Sequence, residues 1–317
     1  MTLEQIKNRV ETAADTPAAR TALHILRGLV WALVLYVIVS RLGAIGWQTI
    51  ANHLPTSAPF YAFIAVFYVI QPLGETIIFR HLWRVKITKL TAIMFRKRVY
   101  NFALMSYSGE AVLFLWARKA VALSDRSILA SIKDNVVLSA LVSNCATVLM
   151  VVFFLATGQM QRFFHVSPNI QLYAGLAAAL ATILAFSVLK FRSNLLALSN
   201  QSFGIVLAVH TARFGISLFL QAAIWAMALP TVPLDTWFVL ATLQLVLTRV
   251  PFLPNQDLVF LALVVSVAGF VEAETGAVAG TFLAIAGLMQ VLHLMTYFMS
   301  ALMERLSYGC HLSEPIH

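Results

Sequence analysis

Glu110 is the residue whose type and setting most demand a chemical explanation, because it lies inside an apolar stretch, at residues 101–119, that is interrupted only by Ser106-Tyr107-Ser108-Gly109-Glu110. A carboxylate held in hydrocarbon costs several kcal/mol unless a partner or a wet cavity receives it, so intramembrane ionisable residues mark functional sites by default. The serines and Gly109 add hydroxyls and backbone N–H groups where a second half-helix would begin, and a helix N-terminus attracts anions. The bland alternative is that Glu110 caps that half-helix or pairs internally with Arg118.

Arg213 stands about ten residues into a later apolar run, three after His210 and on the same helical face. A buried guanidinium needs an anion, and Glu110 or Asp257 could supply one. Phosphate clamping and a structural ion pair fit Arg213 equally. Arg249 and Asn255-Gln256-Asp257 bracket a second interruption that carries Pro251 and Pro254. No continuous helix would hold that pattern.

The elements that must position these residues follow from composition. Of 317 residues, 60% are hydrophobic and 11% charged, with mean hydropathy +0.84. Soluble domains carry about 25% charged residues. The chain therefore reads as an all-α, polytopic helical membrane protein. The expected organisation is a cytoplasmic, interfacial N-terminal segment (1–22), one transmembrane domain (23–303) and a cytoplasmic tail (304–317). Acidic residues interrupt the basic N-terminal region, and no small-residue cleavage site follows, so a cleaved signal peptide is not expected.

Apolar runs at 23–50, 60–79, 135–157, 170–189, 203–229 and 276–303 give about six full crossings. The two broken segments, near 101–119 and 237–270, are expected to dip in and return as opposed re-entrant hairpins. Positive-inside bias decides the topology. The bases of 80–98 form a cytoplasmic loop in this reading, and both termini are cytoplasmic. All but Arg41, Arg162, Arg213 and Arg249 of the 22 Lys and Arg then face inward. Opposed broken helices meeting near the midplane are how transporters build a binding site. Gly74-Glu75 and Gly109-Glu110 also share the pattern GExxΦF, a short internal echo. Asn144, Cys145 and His293 read as helix-packing residues.

The net charge of +9 belongs to membrane-flanking positions, so nucleic acid is not expected as a partner. The two cysteines give neither a disulfide framework nor a metal site. No HExxH, nucleophile elbow or phosphate-binding glycine loop is present, and no cofactor is expected.

The order NF…YSGE…LFLWARK, preceded by FRKRV and FRHLWRV, resembles the transmembrane region of lysylphosphatidylglycerol synthetases and related flippase-like integral membrane proteins. Asn101, Phe102, Gly109, Glu110 and Arg118 match the first part, and 251–257 lies where a second break falls. That second break is glycine-free here and ends on Asp257, a departure from the glycine-rich pattern closing on Glu. The soluble aminoacyl-transferring domain is not recognisable, so lipid aminoacylation is not implied.

Together these readings set the functional expectation: an inner-membrane protein that binds or translocates a lipid or lipid-linked amphiphile with an anionic head. The cavity would lie between the hairpin tips, with Ser106, Ser108, Gly109, Glu110, Arg118, His210, Arg213, Arg249, Asn255 and Asp257 as the substrate-binding residues. Membrane lipids are the expected partners, with a homo-oligomer left open. The competing readings are a membrane enzyme using Glu110 as general base on a lipid-linked substrate, and an assembly partner that transports nothing.

Overall fold

The computed structural model describes residues 55–104, 107–159, 168–249 and 275–311, together with single positions in 21–52 and at 260, 263 and 264. The N-terminal segment, the first expected crossing, and the residues Ser106, Asn255 and Asp257 lie outside the described residues.

The described residues are helical, without a strand. In chain order the helices are α1 (Ala58–Trp83), α2 (Ile87–Ala103), α3 (Ser108–Ala120), α4 (Asp125–Ala156), α5 (Pro168–Lys190), α6 (Arg192–Leu195), α7 (Asn200–Ala228), α8 (Leu234–Leu247) and α9 (Thr275–His311). Among the described residues four helical stretches are long and apolar enough to cross a membrane: Ala58–Trp83, Asp125–Ala156, Asn200–Ala228 and Val278–Ser300. Large side chains such as Leu149, Phe153, Ile183 and Phe219 point outward from this bundle. A surface that apolar suits lipid rather than water. Helix α9 runs on past Met303 to His311.

α1 lies against α7 and α2, α4 against α5 and α7, and α9 against α2. Hydrogen bonds gather several helix ends on one side. Trp83 Nε1 donates to Ser131 near the start of α4, and His81 Nε2 meets Ser202 at the start of α7 (3.1 Å). Asp134, fully buried, accepts from the backbone N–H groups of Ala197 and Leu198 and so fixes the link between α6 and α7. This end of the bundle carries the exposed bases Arg80, Arg84, Lys86, Lys89, Arg118, Lys119, Arg126 and Lys133. Near the other end, Trp225, Trp237 and Phe282 pack with centroids 5.2–6.3 Å apart and tie α7, α8 and α9 together.

The bases of 80–98 do not form a loop. Only 84–86 lie outside helices, and α2 starts at Ile87. The sequence contains the reason: Leu90, Ile93, Met94, Lys97 and Asn101 recur at helical spacing, and the first four are buried. Lys97 is thus on the apolar stripe.

α2 and α3 form an antiparallel helical hairpin. Leu90, Ile93 and Met94 of α2 share one apolar cluster with Leu113 and Ala117 of α3, and the chain reverses between Ala103 and Ser108. The arms are 17 and 13 residues long, or about 25 and 20 Å of helix. Gly109 lets them close. A Cβ built there would stand 2.3 Å from the Lys97 carbonyl oxygen, far inside contact. Its N–H donates to Asn101 Oδ1 (2.6 Å), while Ser108 Oγ donates to the Tyr100 carbonyl (2.7 Å).

A Gly109→Ala substitution should therefore lower stability by about 1–3 kcal/mol, the usual cost of overpacking a filled site. Gly175→Ala, where nothing stands within 4 Å of the new methyl, should be neutral or slightly stabilising. Thermal unfolding of the detergent-purified variants reads the difference.

Candidate functional site

Lys97 sits at the centre of the site. It is 2% exposed, and its Nζ is 2.8 Å from Glu75 Oε2 and 3.1 Å from Glu110 Oε1. Three elements deliver these groups: Glu75 comes from the middle of α1, Lys97 from α2, and Glu110 from the first turn of α3. Lys97 lies ten residues beyond the start of its helix, about 15 Å from the basic end. An ammonium so placed is stable only because two carboxylates receive it.

The two Gly-Glu pairs play matching parts. Gly109 admits the backbone of α2, and Gly74 admits the side chain of Arg213, whose Cδ would lie 3.0 Å from a Cβ at that position. The glutamate following each glycine binds Lys97. The echo between 74–79 and 109–114 therefore has a structural counterpart. Pro72, one turn before Glu75 in α1, removes a backbone N–H from the helix ladder at this level.

Arg213 reaches Ser139 Oγ (3.0 Å) and His210 Nδ1 (3.2 Å), and Glu75 is the carboxylate close enough to act on its charge. Among the described residues neither Glu75 nor Glu110 forms a salt bridge with Arg213, although Glu75 is near enough to act on its charge. His210 is fully buried and hydrogen-bonded through Nε2 to Asn135 (3.0 Å). Arg98 lies beside Arg213. It donates to Gln71 Oε1 (3.0 Å) and stacks over the Tyr68 ring at 4.5 Å. Tyr68 in turn meets His293 Nδ1 (3.0 Å), and the His293 ring stacks on Phe102 at 4.0 Å. His293 is a packing residue, as its position suggested, but it packs against the wall of the site.

Arg98 and Arg213 line a cavity of about 200 Å³, together with Gln71, Ser217, Gln221 and the rings of Phe67 and Phe214. The Nε atoms of both arginines are buried without a hydrogen-bond partner. Leaving a charged donor unsatisfied is costly, and both arginines that line this cavity carry one. Among the described residues the cluster carries three cations (Lys97, Arg98, Arg213) against two carboxylates (Glu75, Glu110).

The structure thus brings Glu110, His210 and Arg213 into one network with Ser108 and Gly109 at its edge. It does not bring Arg118, which ends α3, is exposed and pairs with Asp125 at 3.1 Å. Internal pairing of Glu110 with Arg118 is replaced by the Lys97 contact. Nor do Ser108 and Gly109 present free groups to an anion, because the Ser108 hydroxyl and the Gly109 N–H are engaged by Tyr100 and Asn101. Arg249 follows α8, where its Nη2 donates to Ser143 Oγ (2.7 Å) on α4, and Tyr107 is near enough to act on its charge.

Lys97, Arg98 and Asn135 were missed by the sequence reading. The signal for Lys97 is its place on the buried stripe of α2, and for Arg98 its adjacency to it. Asn135 gives no signal beyond a polar residue at the head of an apolar run.

No protein-family model, curated protein or solved structure matches this chain. No group of three or more His, Cys, Asp or Glu among the described residues could hold a metal ion.

Lys97→Met should be severely destabilising, by about 3–5 kcal/mol, since it strands two buried carboxylates. Combining it with Glu75→Gln and Glu110→Gln should restore most of the loss. The comparison is made on folded yield and unfolding temperature in detergent. A triple variant as unstable as Lys97→Met alone would contradict the bridging role.

Proposed function

We propose that the chain is an integral inner-membrane protein, both termini cytoplasmic, that binds or translocates a lipid or lipid-linked amphiphile with an anionic head group. The observation that carries this reading is the pair of unpartnered guanidinium nitrogens of Arg98 and Arg213 in one small cavity. Guanidinium suits phosphate because its donors form a rigid fork and its charge does not titrate away. The cavity has room for a head-group phosphate and not for acyl chains, which stay in the surrounding lipid.

In this reading the α2–α3 hairpin enters the bilayer from the cytoplasmic, basic side, and the segment around α8 enters from the other side. Their edges meet where Tyr107 and Arg249 are close. The arriving phosphate takes the guanidinium groups of Arg98 and Arg213, and Ser139 and His210 hold Arg213 when the site is empty. The resemblance to flippase-like membrane proteins points the same way.

The test is movement of a fluorescent, anionic phospholipid across proteoliposome membranes. Arg213→Ala and Glu110→Gln, reconstituted at normal yield, should slow it about tenfold or more, the worth of one or two charge-assisted hydrogen bonds. Unchanged movement in both variants would remove these residues from the mechanism. Recovery of a chemically altered lipid would favour an enzyme instead.

A further inference from the structure

We propose that the corner between α1 and α2 is a second lipid site, separate from the central cavity, that takes the phosphate of an anionic phospholipid at the membrane surface. Its evidence does not depend on Arg98 or Arg213. Arg84 closes α1 in the left-handed conformation (φ 58°), its N–H bonded to the Arg80 carbonyl at 3.0 Å, and the short link 84–86 leads straight into α2. The corner so formed encloses an open cleft of about 780 Å³ lined by Arg80, Arg84, Lys86, Ile77 and Ile87. His81 also lines it, with its ring engaged by Ser202.

Three features point to a lipid phosphate. Arg80, Arg84 and Lys86 are exposed, and among the described residues none of them has a carboxylate partner. Leu73, Ile77, Arg80 and Arg84 follow at helical spacing, so one outer stripe of α1 passes from apolar to basic. Leu73 is 42% and Ile77 52% exposed. That gradient matches an acyl chain continuing into a phosphate, and α1 is one of the helices of membrane-crossing length. Topogenic bias accounts for the number of bases here but not for their gathering around a concave cleft that also has Ile77, Val85 and Ile87 in its wall. Free phosphate would use the bases and leave the apolar stripe idle, so the occupant is the lipid.

The experiment uses the full chain in detergent, with Cys145 and Cys310 replaced by Ser and an environment-sensitive fluorophore on Thr88→Cys at the cleft. Titration with short-chain phosphatidylglycerol should shift the emission saturably. Phosphatidylcholine and millimolar inorganic phosphate should not. Arg80→Gln with Arg84→Asn and Lys86→Gln should weaken the response about tenfold or more, and Arg80→Gln alone about threefold. Lys190→Gln with Arg192→Gln, removing two bases elsewhere, should leave it unchanged. An equal response to phosphatidylcholine, full reproduction by inorganic phosphate, equal weakening by the Lys190/Arg192 variant, or undiminished binding in the Arg80 variants would each overturn the proposal. None of these outcomes involves the central arginines, so the proposed function stands or falls separately.

Discussion

The buried ammonium of Lys97, held between Glu75 and Glu110, is the constraint on which the rest of the structure depends. Each partner comes from a different helix, so the two contacts set the depth and rotation of α1, α2 and α3 together. Buried ion pairs add little net stability compared with apolar packing, but they penalise any arrangement that separates them. Here that penalty keeps α3 folded back on α2, with Gly109 removing the steric obstacle and Asn101 receiving its N–H.

Once the triad is in place, the neighbouring charges are no longer balanced. Glu75 is taken by Lys97, Arg213 is left to Ser139 and His210, and Arg98 to an amide and an aromatic face. The result is a small cavity lined by two guanidinium groups, in a bundle whose long helices carry apolar side chains outside.

Much of this was legible in the residues and some was not. Helical class and membrane-scale helices follow from composition and run length, because nothing else can be built from stretches this apolar. The reversal near Gly109 follows from a polar interruption that a straight helix could not carry, and Glu110, His210 and Arg213 stood out as charged or polar residues in apolar runs. Lys97 and Arg98 were hidden by their company: seven bases in nineteen residues resemble a cytoplasmic loop, and only the 3.6-residue spacing from Leu90 to Asn101 separates the buried bases from the exposed ones. Arg118 erred the other way, since a base eight residues after Glu110 is two turns along α3 and out of its reach. That Arg213 meets Ser139 and His210 rather than Glu110 depends on how α4 and α7 pack, which no local pattern encodes.

The central claim is that α2 and α3 form a hairpin that enters the bilayer and leaves by the side it came from, so that the triad lies at depth. Labelling Arg126→Cys, in a chain otherwise free of cysteine, with a membrane-impermeant maleimide on intact cells tests it directly. The account predicts no labelling until the cells are opened, because position 126 lies beyond the returning arm on the cytoplasmic face. Full labelling from outside would mean that the chain had crossed, and would contradict it.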